Sequence, residues 1–576
     1  MSSTDDALHV RWLGRVAYAE ALALQEALFT YGNGHHLLLL EHRHVFTYGA
    51  RADLSSNVLV EPASVGAELI AVNRGGDVTY HGPGQLVGYP ILQLASKHGG
   101  LAGPADSVAH VRNVEQLIID ALTEIGLPVV GRLAEYPGVW VDPSGSNPRK
   151  ICAIGTRVSR GRTMHGFGLN VSTDMRYMRD YIIPCGIADR AVTSLAEEGS
   201  TVSIADVVGV VSRLAAARWG NGRVDRQDIA WHTRPDDLSP FSRGMGPGGL
   251  VRSAADHGVA GVPRRNSVVS EPVRLLGRLT QAGVTEAVAI TDRKPEWLRP
   301  KLNHGPAVLD LKRTVRDLGL ITVCEEAGCP NLSDCWADGT ATFMVLGERC
   351  TRACGFCLVD TDKPLAPLAD EPQRVAEAVH SMGLAHAVLT MVARDDLEDG
   401  GMTHVAACVA AIRDRSPATR IETLISDGKG DAASLEILFA SRPDVLNHNV
   451  ETVPRLQRAV RPSAGYARSL GVLARAKQAQ LTVKSGLIVG MGETPDEVDG
   501  VLADLASIGV DIVTIGQYLR PTSHHLPVQR WVEPHEFARW KALGESLGIG
   551  HVESSPLTRS SYHAKQSAEA VSIRVG

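Results

Sequence analysis

The chain has 576 residues, with 58 Lys and Arg against 64 Asp and Glu, and a formal net charge of −6. This length indicates more than one domain, and the modest charge without a long basic cluster argues against a nucleic-acid-binding protein. No uncharged apolar run is long enough to cross a bilayer, and residues 1–6 are polar and acidic, unlike a signal or transit peptide. We therefore expect a cytoplasmic protein with neither nucleic-acid nor membrane partners.

The first 220 residues are predicted to contain short apolar strands, one long helix and a second helix-like run at 204–217. From Asp106 to Gly126 apolar residues recur at threes and fours, with Asp106 or Ser107 as a cap and Gly126 as a stop. Strands are predicted at 37–40, 86–94, 139–141, 151–158 and 163–171, and a Ser-Arg-Gly turn joins the last two as a hairpin. The pattern indicates a mixed α/β domain with a largely antiparallel sheet.

Two stretches of this domain could carry chemistry. Residues 73–84 are rich in glycine, so that backbone amides can approach a ligand, and Arg74 and His81 supply side-chain donors. A glycine-rich turn alone is a weak signal. Cys185 stands in an Ile-Pro-Cys-Gly turn with Lys150 upstream, although a lone intracellular cysteine is more often a small buried hydrophobe than a nucleophile.

Together these residues resemble the octanoyltransferase family, which has the biotin/lipoate ligase fold, over about the first 215 residues. The resemblance implies that Cys185 is the acyl-thioester nucleophile and Lys150 its activating partner. Cys152 lies inside a predicted strand and is expected to be structural. An ammonium group stabilises a thiolate, and covalent capture suits transfer between two large carriers. The resemblance further implies an acyl site lined by Arg74, Gly75, Gly76, Asp77, Val78, Thr79, Tyr80, His81, Ala153, Ile154, Gly155, Gly166, Phe167 and Gly168.

Composition changes after residue 219. Residues 220–270 are rich in Gly, Pro, Arg, Asp and Ser, which is typical of a flexible linker. The run Gly244 to Gly249 is similar to a phosphate-binding loop, but no strand precedes it and no lysine follows. We therefore predict domains at 1–219 and 271–576, joined by this linker.

Six of the nine cysteines lie between Cys324 and Cys357, in two triplets. Cys350, Cys354 and Cys357 are close enough for one loop to turn three thiolates onto one iron-sulfur cluster. Cys324, Cys329 and Cys335 are more widely spaced and suit a second cluster on a longer loop. A triplet leaves one iron of a four-iron cluster open to another ligand.

Two alternatives compete with iron-sulfur clusters. Zinc sites also use cysteine, but they usually present pairs of the C-x2-C type, and neither triplet supplies a second such pair. A disulfide framework is improbable for a long chain in a reducing compartment.

The C-x3-C-x2-C motif after an apolar run resembles the radical S-adenosylmethionine signature, and the preceding C-x4-C-x5-C motif resembles the auxiliary-cluster motif of lipoyl synthases. The resemblance covers about the last half of the chain. It continues through residues 392–397 (VARDDL), 447–452 (NHNVET), 484–490 (KSGLIVG), 517–521 (QYLRP) and 559–562 (RSSY).

This half also shows an alternation of strands and helices. Apolar strand-like runs near 342–346, 386–392, 421–425, 445–450, 482–489 and 511–515 are separated by helical stretches. Six such units predict an incomplete (β/α)6 barrel of the TIM type. The triplet of Cys350, Cys354 and Cys357, which follows the strand at 342–346, would then lie at the mouth of this barrel.

The lipoyl synthase resemblance implies a hydroxyl ligand for the auxiliary cluster, Ser561, with Ser560 as the alternative. Charged residues near strand ends are contacts to S-adenosylmethionine or substrate, or they are solvated or paired structurally; these are Arg394, Asp396, Glu422 and Lys484. Cys408 lies in an alanine-rich helix and is expected to pack in the core.

The two resemblances imply a fusion of two consecutive enzymes of lipoate biosynthesis. One half would move octanoyl from acyl carrier protein to a lysine of a lipoyl domain, and the other would insert two sulfur atoms by radical chemistry. The implied cofactors are two 4Fe-4S clusters and S-adenosylmethionine. The implied partners are octanoyl acyl carrier protein, lipoyl domains of 2-oxoacid dehydrogenases, the glycine cleavage H protein, and an electron donor such as ferredoxin or flavodoxin.

Other functions stay open at this point. The first half could be an ATP-dependent lipoate ligase, which would not need Cys185 and Lys150. The second half could be an iron-sulfur carrier or electron-transfer module, which would need neither S-adenosylmethionine nor a barrel of this length. A regulatory fusion with one inactive half is a third possibility.

Overall fold

A computed structural model of the chain describes residues 7–50, 52–97, 105–187, 189–230, 279, 282–284, 287–288, 293–299, 320–322, 331–523 and 525–575. The chain divides into two compact units, residues 1–231 and 232–576. Most of the predicted linker, residues 231–270, lies outside the described residues. The predicted start of that linker at residue 220 is wrong, because Val224–Asp228 forms a strand of the first unit.

The described part of the first unit contains twelve strands and five helices. The strands are β1 Leu8–Val16, β2 His35–His42, β3 Val45–Tyr48, β4 Glu68–Ala71, β5 Thr79–His81, β6 Gln85–Ile91, β7 Val130–Leu133, β8 Tyr136–Val141, β9 Arg149–Ser159, β10 Arg162–Asn170, β11 Ala191–Val192 and β12 Val224–Asp228. The helices are α1 Tyr18–Tyr31, α2 Leu54–Asn57, α3 Ser107–Ile125, α4 Arg176–Arg179 and α5 Ile204–Trp219.

Nine of these strands form one mixed sheet, in the order β12-β1-β2-β6-β10-β9-β8-β7, with β11 paired to β9. Strands β2, β6, β10, β9, β8 and β7 pair antiparallel, whereas β12, β1 and β2 pair parallel. The predicted mixed α/β domain with a largely antiparallel sheet is confirmed. A small second sheet, β4-β3-β5, carries the end of the glycine-rich stretch.

Helix α3 shows how the sequence pattern produces the core. The Asp106 carboxylate accepts the Ala109 backbone N–H at 2.9 Å, and Gly126 ends the helix at φ +100°. Leu117 and Ile118 are fully buried, as the spacing predicts, and each contributes roughly 1.5–3 kcal/mol of apolar burial. Val108, in the first turn, is 65% exposed, so the apolar face begins later than its spacing suggests.

The predicted hairpin between β9 and β10 is confirmed. Ser159 pairs with Arg162, which leaves a loop of two residues. Arg160 and Gly161 both have positive φ, 51° and 76°, and two such residues match the right-handed twist of the flanking strands. The turn sets the register in which β9 and β10 face each other.

The described part of the second unit contains eight strands, β13 Ile321–Thr322, β14 Thr340–Val345, β15 His386–Met391, β16 Arg420–Leu424, β17 Val445–Asn447, β18 Thr482–Val489, β19 Ile512–Gln517 and β20 His551–Ser554. Its helices are α6 Leu332–Ala337, α7 Glu371–Ser381, α8 Met402–Arg415, α9 Ala432–Ala440, α10 Gln457–Val460, α11 Tyr466–Gln478, α12 Pro495–Ser507, α13 Pro534–Ser546 and α14 Ala564–Val575.

These strands form one sheet in sequence order from β13 to β20. The seven strands from β14 to β20 are parallel, and helices follow them as in a (β/α) barrel. The predicted class is confirmed, but the count of six strands is one short, because β20 was not predicted. β13 pairs antiparallel with β14 at the other edge. Among the described helices, none combines the length and apolar character needed to cross a bilayer.

Candidate active sites

A cavity in the first unit brings together residues that are far apart in the sequence. It is lined by Tyr18, Arg74, Gly75, Gly76, Asp77, Thr79, His81, Tyr89, Ala153, Ile154, Gly155, His165, Gly166, Phe167, Gly168 and Cys185. Most of the residues implied for the acyl site therefore share one surface with the implied nucleophile. Val78 and Tyr80, from the same stretch, do not line it, because both side chains pack in a core cluster with Phe46.

Glycines open the floor of this cavity. In the β9–β10 register Gly155 faces Gly166 and Ala153 faces Gly168, so the two predicted runs are direct neighbours. A Cβ at Gly155 would lie 3.2 Å from Arg74 Cδ, and a Cβ at Gly168 would lie 2.9 Å from Gln85 Oε1. Side chains at these positions would therefore press on Arg74, which lines the cavity, and on Gln85.

Cys185 is held in an unusual backbone conformation. It lies in the 3₁₀ turn Pro184–Gly186 with φ 59° and ψ 18°, a left-handed region that a residue with a Cβ rarely adopts. Its backbone N–H donates to the carbonyl oxygen of Val78 at 2.7 Å, which ties the turn to the glycine-rich stretch. Such a conformation costs about 1–2 kcal/mol and is found most often where function requires it.

Two basic residues are candidates for the cation that stabilises the Cys185 thiolate. Arg74 lines the cavity; burial lowers the pKa of its guanidinium, and the nearby Cys185 opposes that shift. Lys150 is buried and does not line the cavity, and its Nζ lies 4.9 Å from the centre of the Trp140 ring. The pairing of Lys150 with Cys185 stays a prediction, with Arg74 as the alternative.

Alkylation of Cys185 by iodoacetamide across pH separates these two residues. If Lys150 is the partner, Lys150→Ala will move the alkylation profile of Cys185 to higher pH, because the lost ammonium no longer favours the thiolate. Arg74→Gln is the matched comparison. A shift in Arg74→Gln with an unchanged profile in Lys150→Ala would transfer the role to Arg74.

Three aromatic residues line the cavity although they were not singled out in the sequence: Tyr18, Tyr89 and His165. Burial is the main cause that lowers the pKa of His165 to about 4 and raises the pKa of Tyr18 to about 12. The only local sequence feature that could have pointed to His165 as a cavity residue was its position directly before Gly166. A histidine next to a glycine is common, so this signal could not be recognised without the register of β9 and β10.

Cys152 behaves differently from Cys185. Its side chain is fully buried in the core below α3, and burial raises the pKa of its thiol. A buried neutral thiol is a weak nucleophile, which agrees with the structural role expected for Cys152.

The cysteine triplet of the second unit lies on the loop after β14, at the carboxyl end of the parallel sheet. Hydrogen bonds fix this loop at both ends: the Cys350 N–H donates to the Asp360 carbonyl oxygen at 2.8 Å, and His525 Nε2 donates to the Cys357 carbonyl oxygen at 2.9 Å. The predicted placement at the mouth of the barrel therefore agrees with the structure.

The three thiols of this loop are near one another and poorly solvated. Removal from water raises the pKa of Cys354 to about 11, and Cys350 adds to the shift. For Cys357, burial and then the neighbouring Cys354 raise the pKa. Within the described ranges, no group of three or more His, Cys, Asp or Glu is arranged to hold a single metal ion. Three soft sulfur donors on one short loop fit three corners of an iron-sulfur cluster, which holds its ligands further apart than one ion does.

Arg352, inside the triplet, was not recognised in the sequence. Its guanidinium donates to both oxygens of Asp395 at 2.7 Å and to Asp427 Oδ1 at 2.6 Å, and it is 7% exposed. Asp395 follows β15 and Asp427 follows β16, so Arg352 joins the cysteine loop to two neighbouring strand ends. Burial alone would raise the pKa of Asp427, but the Arg352 charge lowers it.

The triplet of Cys324, Cys329 and Cys335 is only partly described, because Cys324 and Cys329 lie outside the described residues. Cys335 is buried in α6. Contacts on both sides of it reach the segment that contains Ser560 and Ser561: Asn331 donates to the Leu557 carbonyl oxygen, and Gln566 donates to Asp338, each at 2.7 Å. The pKa of Tyr562 is raised by burial and by nearby groups that include Asp334 and Cys335. Cys335 and the predicted serine ligand therefore belong to one region.

The four charged residues left open in the sequence form ion pairs with one another. Arg394 pairs with Asp396 at 2.9 Å and donates to the Leu346 carbonyl oxygen. Lys484 donates to Glu422 at 3.0 Å, with both side chains at most 1% exposed. Burial alone would raise the pKa of Glu422, but Lys484 lowers it to about 2.

Lys484→Met should destabilise the second unit by about 3–5 kcal/mol, because it leaves the Glu422 carboxylate buried without its cation. The double variant with Glu422→Gln should recover part of this loss, since the unpaired charge is gone. Urea titrations of the full chain measure both free energies of unfolding. Equal stability of the single variant and the wild type would mean that water reaches Glu422.

Comparisons with known proteins find a different family in each half of the chain. A family model described as the lipoyl protein ligase A/B catalytic domain matches residues 17–214, and the radical SAM superfamily model matches residues 344–505. A lipoyl synthase from Rubrobacter xylanophilus is 52% identical over 278 residues, which are 48% of this chain and 87% of that protein. A lipoyl synthase from Mycobacterium tuberculosis is 51% identical over 287 residues, 50% of this chain and 92% of that protein.

A solved lipoate protein ligase from Thermoplasma acidophilum, described as bi-partite, is 17% identical and covers 39% of this chain and 88% of that chain, with a TM-score of 0.32. That score is too low to bear on the assignment. The sequence identity to the lipoyl synthases, which extends over nearly their whole length, decides the family assignment. The chain belongs to the lipoyl synthase family and carries, before its radical SAM domain, a lipoyl ligase or transferase catalytic domain.

Proposed function

We propose that the chain catalyses two consecutive steps of protein lipoylation. The first unit transfers octanoyl from acyl carrier protein to a lysine of a lipoyl domain through a thioester on Cys185. The second unit inserts two sulfur atoms into that octanoyl chain. The observation that carries the first step is the cavity that places Cys185 beside Arg74 and the glycine-lined floor of β9 and β10.

Transfer in the first unit takes two balanced steps. The Cys185 thiolate attacks the carbonyl carbon of the octanoyl thioester, the bond to the carrier sulfur breaks, and the carrier thiol leaves with a proton. The lysine nitrogen then attacks the same carbon, an amide bond forms, and the Cys185 sulfur leaves and takes up the proton that the nitrogen releases. Covalent storage lets the two large carriers use the cavity in turn.

The family implies S-adenosylmethionine and 4Fe-4S clusters in the second unit, and we propose two clusters. Cys350, Cys354 and Cys357 would hold one, and Cys324, Cys329 and Cys335 with Ser561 would hold the other. Together with S-adenosylmethionine they supply hydrogen abstraction from unactivated carbon and the sulfur atoms. The protein contributes the cysteine loop, which Arg352 ties to Asp395 and Asp427 and which His525 binds at the Cys357 carbonyl oxygen, and the buried neighbourhood of Cys335.

Lipoyl domains and an external electron donor such as ferredoxin or flavodoxin are the proposed partners. The acceptor lysine must reach Cys185 first and the cysteine loops second. The predicted linker would let the two units share one acceptor.

ATP dependence tests the first step. The enzyme should convert apo lipoyl domain to the octanoylated form with octanoyl acyl carrier protein and no ATP, because the thioester donor is already activated. Free octanoate with ATP should give no product. Mass spectrometry of the lipoyl domain reads both reactions, and product only from octanoate and ATP would favour a lipoate ligase instead.

A further inference from the structure

Two residues that line the cavity of the first unit each carry one buried side-chain atom with no hydrogen-bond partner among the described residues. One is a donor, Arg74 Nε, and the other is an acceptor, His165 Nδ1. Buried polar atoms normally have a partner, and leaving one unpaired costs about 1–3 kcal/mol. An unpaired donor and an unpaired acceptor in one cavity therefore indicate a ligand with both complementary groups.

The hydrogen-bond partners of His165 define its protonation state. Nε2 lies 2.9 Å from Asn73 Oδ1, and because that oxygen can only accept, Nε2 carries the proton. Nδ1 consequently has the lone pair and is the acceptor. The His165 backbone N–H donates to Gln25 Oε1 at 2.9 Å, which fixes the residue at φ 59°. His165 is only 2% exposed, and these two hydrogen bonds hold its backbone and its imidazole in place.

Arg74 is fixed in a similar way by its terminal nitrogens. One of them donates to the carbonyl oxygen and the hydroxyl of Thr47, at 2.7 and 2.9 Å, and the other donates to the Gly75 carbonyl oxygen at 3.0 Å. Nε is thus the part of the guanidinium left for a ligand. Arg74, His165 and Cys185 all line the same cavity.

We propose that Arg74 Nε and His165 Nδ1 together bind the reacting groups of the aminolysis step, in which the acceptor lysine attacks the acyl-Cys185 thioester. Arg74 Nε–H donates to the acyl carbonyl oxygen, and His165 Nδ1 accepts an N–H of the attacking lysine. The inference rests on the proposed function of the first unit. It assigns to His165 a contact with the acceptor nitrogen.

The two half-reactions differ in their need for these atoms. The thioester of the acyl carrier protein has a carbonyl oxygen but no N–H, so acylation of Cys185 requires only the donor. Attack by lysine requires both, because the developing tetrahedral centre carries an oxyanion and an N–H. His165 should therefore act on the second half-reaction alone.

His165→Asn is the test variant, since asparagine tolerates the left-handed backbone at this position. In single-turnover experiments on the full chain, acylation by octanoyl acyl carrier protein should keep its rate. Transfer from acyl-Cys185 to apo lipoyl domain should slow about tenfold, the factor expected for one lost hydrogen bond. Intact-mass spectrometry should then detect accumulated acyl-enzyme.

The control is His110→Gln. His110 is 3% exposed, and its Nε2 also has no described partner, but it lies on α3 and does not line the cavity. Both half-reactions should keep their rates in this variant. If His165→Asn does not fold, Asn73→Leu gives the same test, because it keeps the imidazole and removes the oxygen that fixes its tautomer.

An equal loss in both half-reactions, or unchanged transfer to lysine, would overturn the role of His165. Absence of any acyl-enzyme in the wild type is a different result. It would contradict the proposed thioester mechanism itself rather than the assignment of His165.

Discussion

Cys185→Ser should reduce octanoyl transfer to the uncatalysed level while sulfur insertion into a pre-octanoylated lipoyl domain continues at the wild-type rate. A serine hydroxyl is not ionised near neutral pH, whereas a cysteine beside a cation supplies a thiolate. The second activity should persist because Cys185 lies in the unit of residues 1–231 and the cysteine loop lies in the unit of residues 232–576. Separate assays of the two reactions, each read by mass spectrometry of the lipoyl domain, measure the effect.

Cys152→Ala is the control for Cys185→Ser. Cys152 is also a cysteine of the first unit, but it is fully buried and lies outside the residues that line the cavity. The variant should lose stability and retain transfer. Normal transfer by Cys185→Ser, or loss of both activities in that variant, would count against Cys185 as the nucleophile.

Replacement of each cysteine triplet by alanine should give two distinct defects. Without Cys350, Cys354 and Cys357, the reductive cleavage of S-adenosylmethionine should stop, because the loop after β14 can no longer hold a cluster. Without Cys324, Cys329 and Cys335, cleavage should continue and the lipoyl product should be absent. Chromatography of 5′-deoxyadenosine and mass spectrometry of the lipoyl domain measure the two outcomes.

Cys408→Ala serves as the control for both triplet variants, since Cys408 is fully buried in α8. Both reactions should persist in it. Lipoyl product from the variant without Cys324, Cys329 and Cys335 would show that the sulfur has another source.

Periodic patterns in the sequence predicted several of the main elements of both units, although strand β1 and helix α1 were not predicted. The core-facing residues of α3, the caps at Asp106 and Gly126, and the β9–β10 hairpin follow from local spacing and turn chemistry. Local patterns failed where pairing is long-range. β12 joins the sheet by pairing with β1, 216 residues earlier in the sequence, and β20, with the sequence HVES, is short and largely polar, so neither has a local signal.

The sequence predicted the candidate sites where spacing itself carries chemistry. The cysteine triplets and the glycine runs are of this kind. Arg352 and His165 could not be predicted, because their roles depend on partners from other elements: Asp395 and Asp427 for Arg352, and Asn73 for His165. Glu422 and Lys484 were recognised as charged residues, but only the structure pairs them across β16 and β18.

The most direct measurement of the two-step account is an anaerobic incubation of the reconstituted full chain with octanoyl acyl carrier protein, apo lipoyl domain, S-adenosylmethionine and a reductant. Mass spectrometry of the lipoyl domain should show the octanoylated form first and the lipoylated form later, both without ATP. A lipoyl domain that stays unmodified, or that stops at the octanoylated form with active clusters present, would contradict the account.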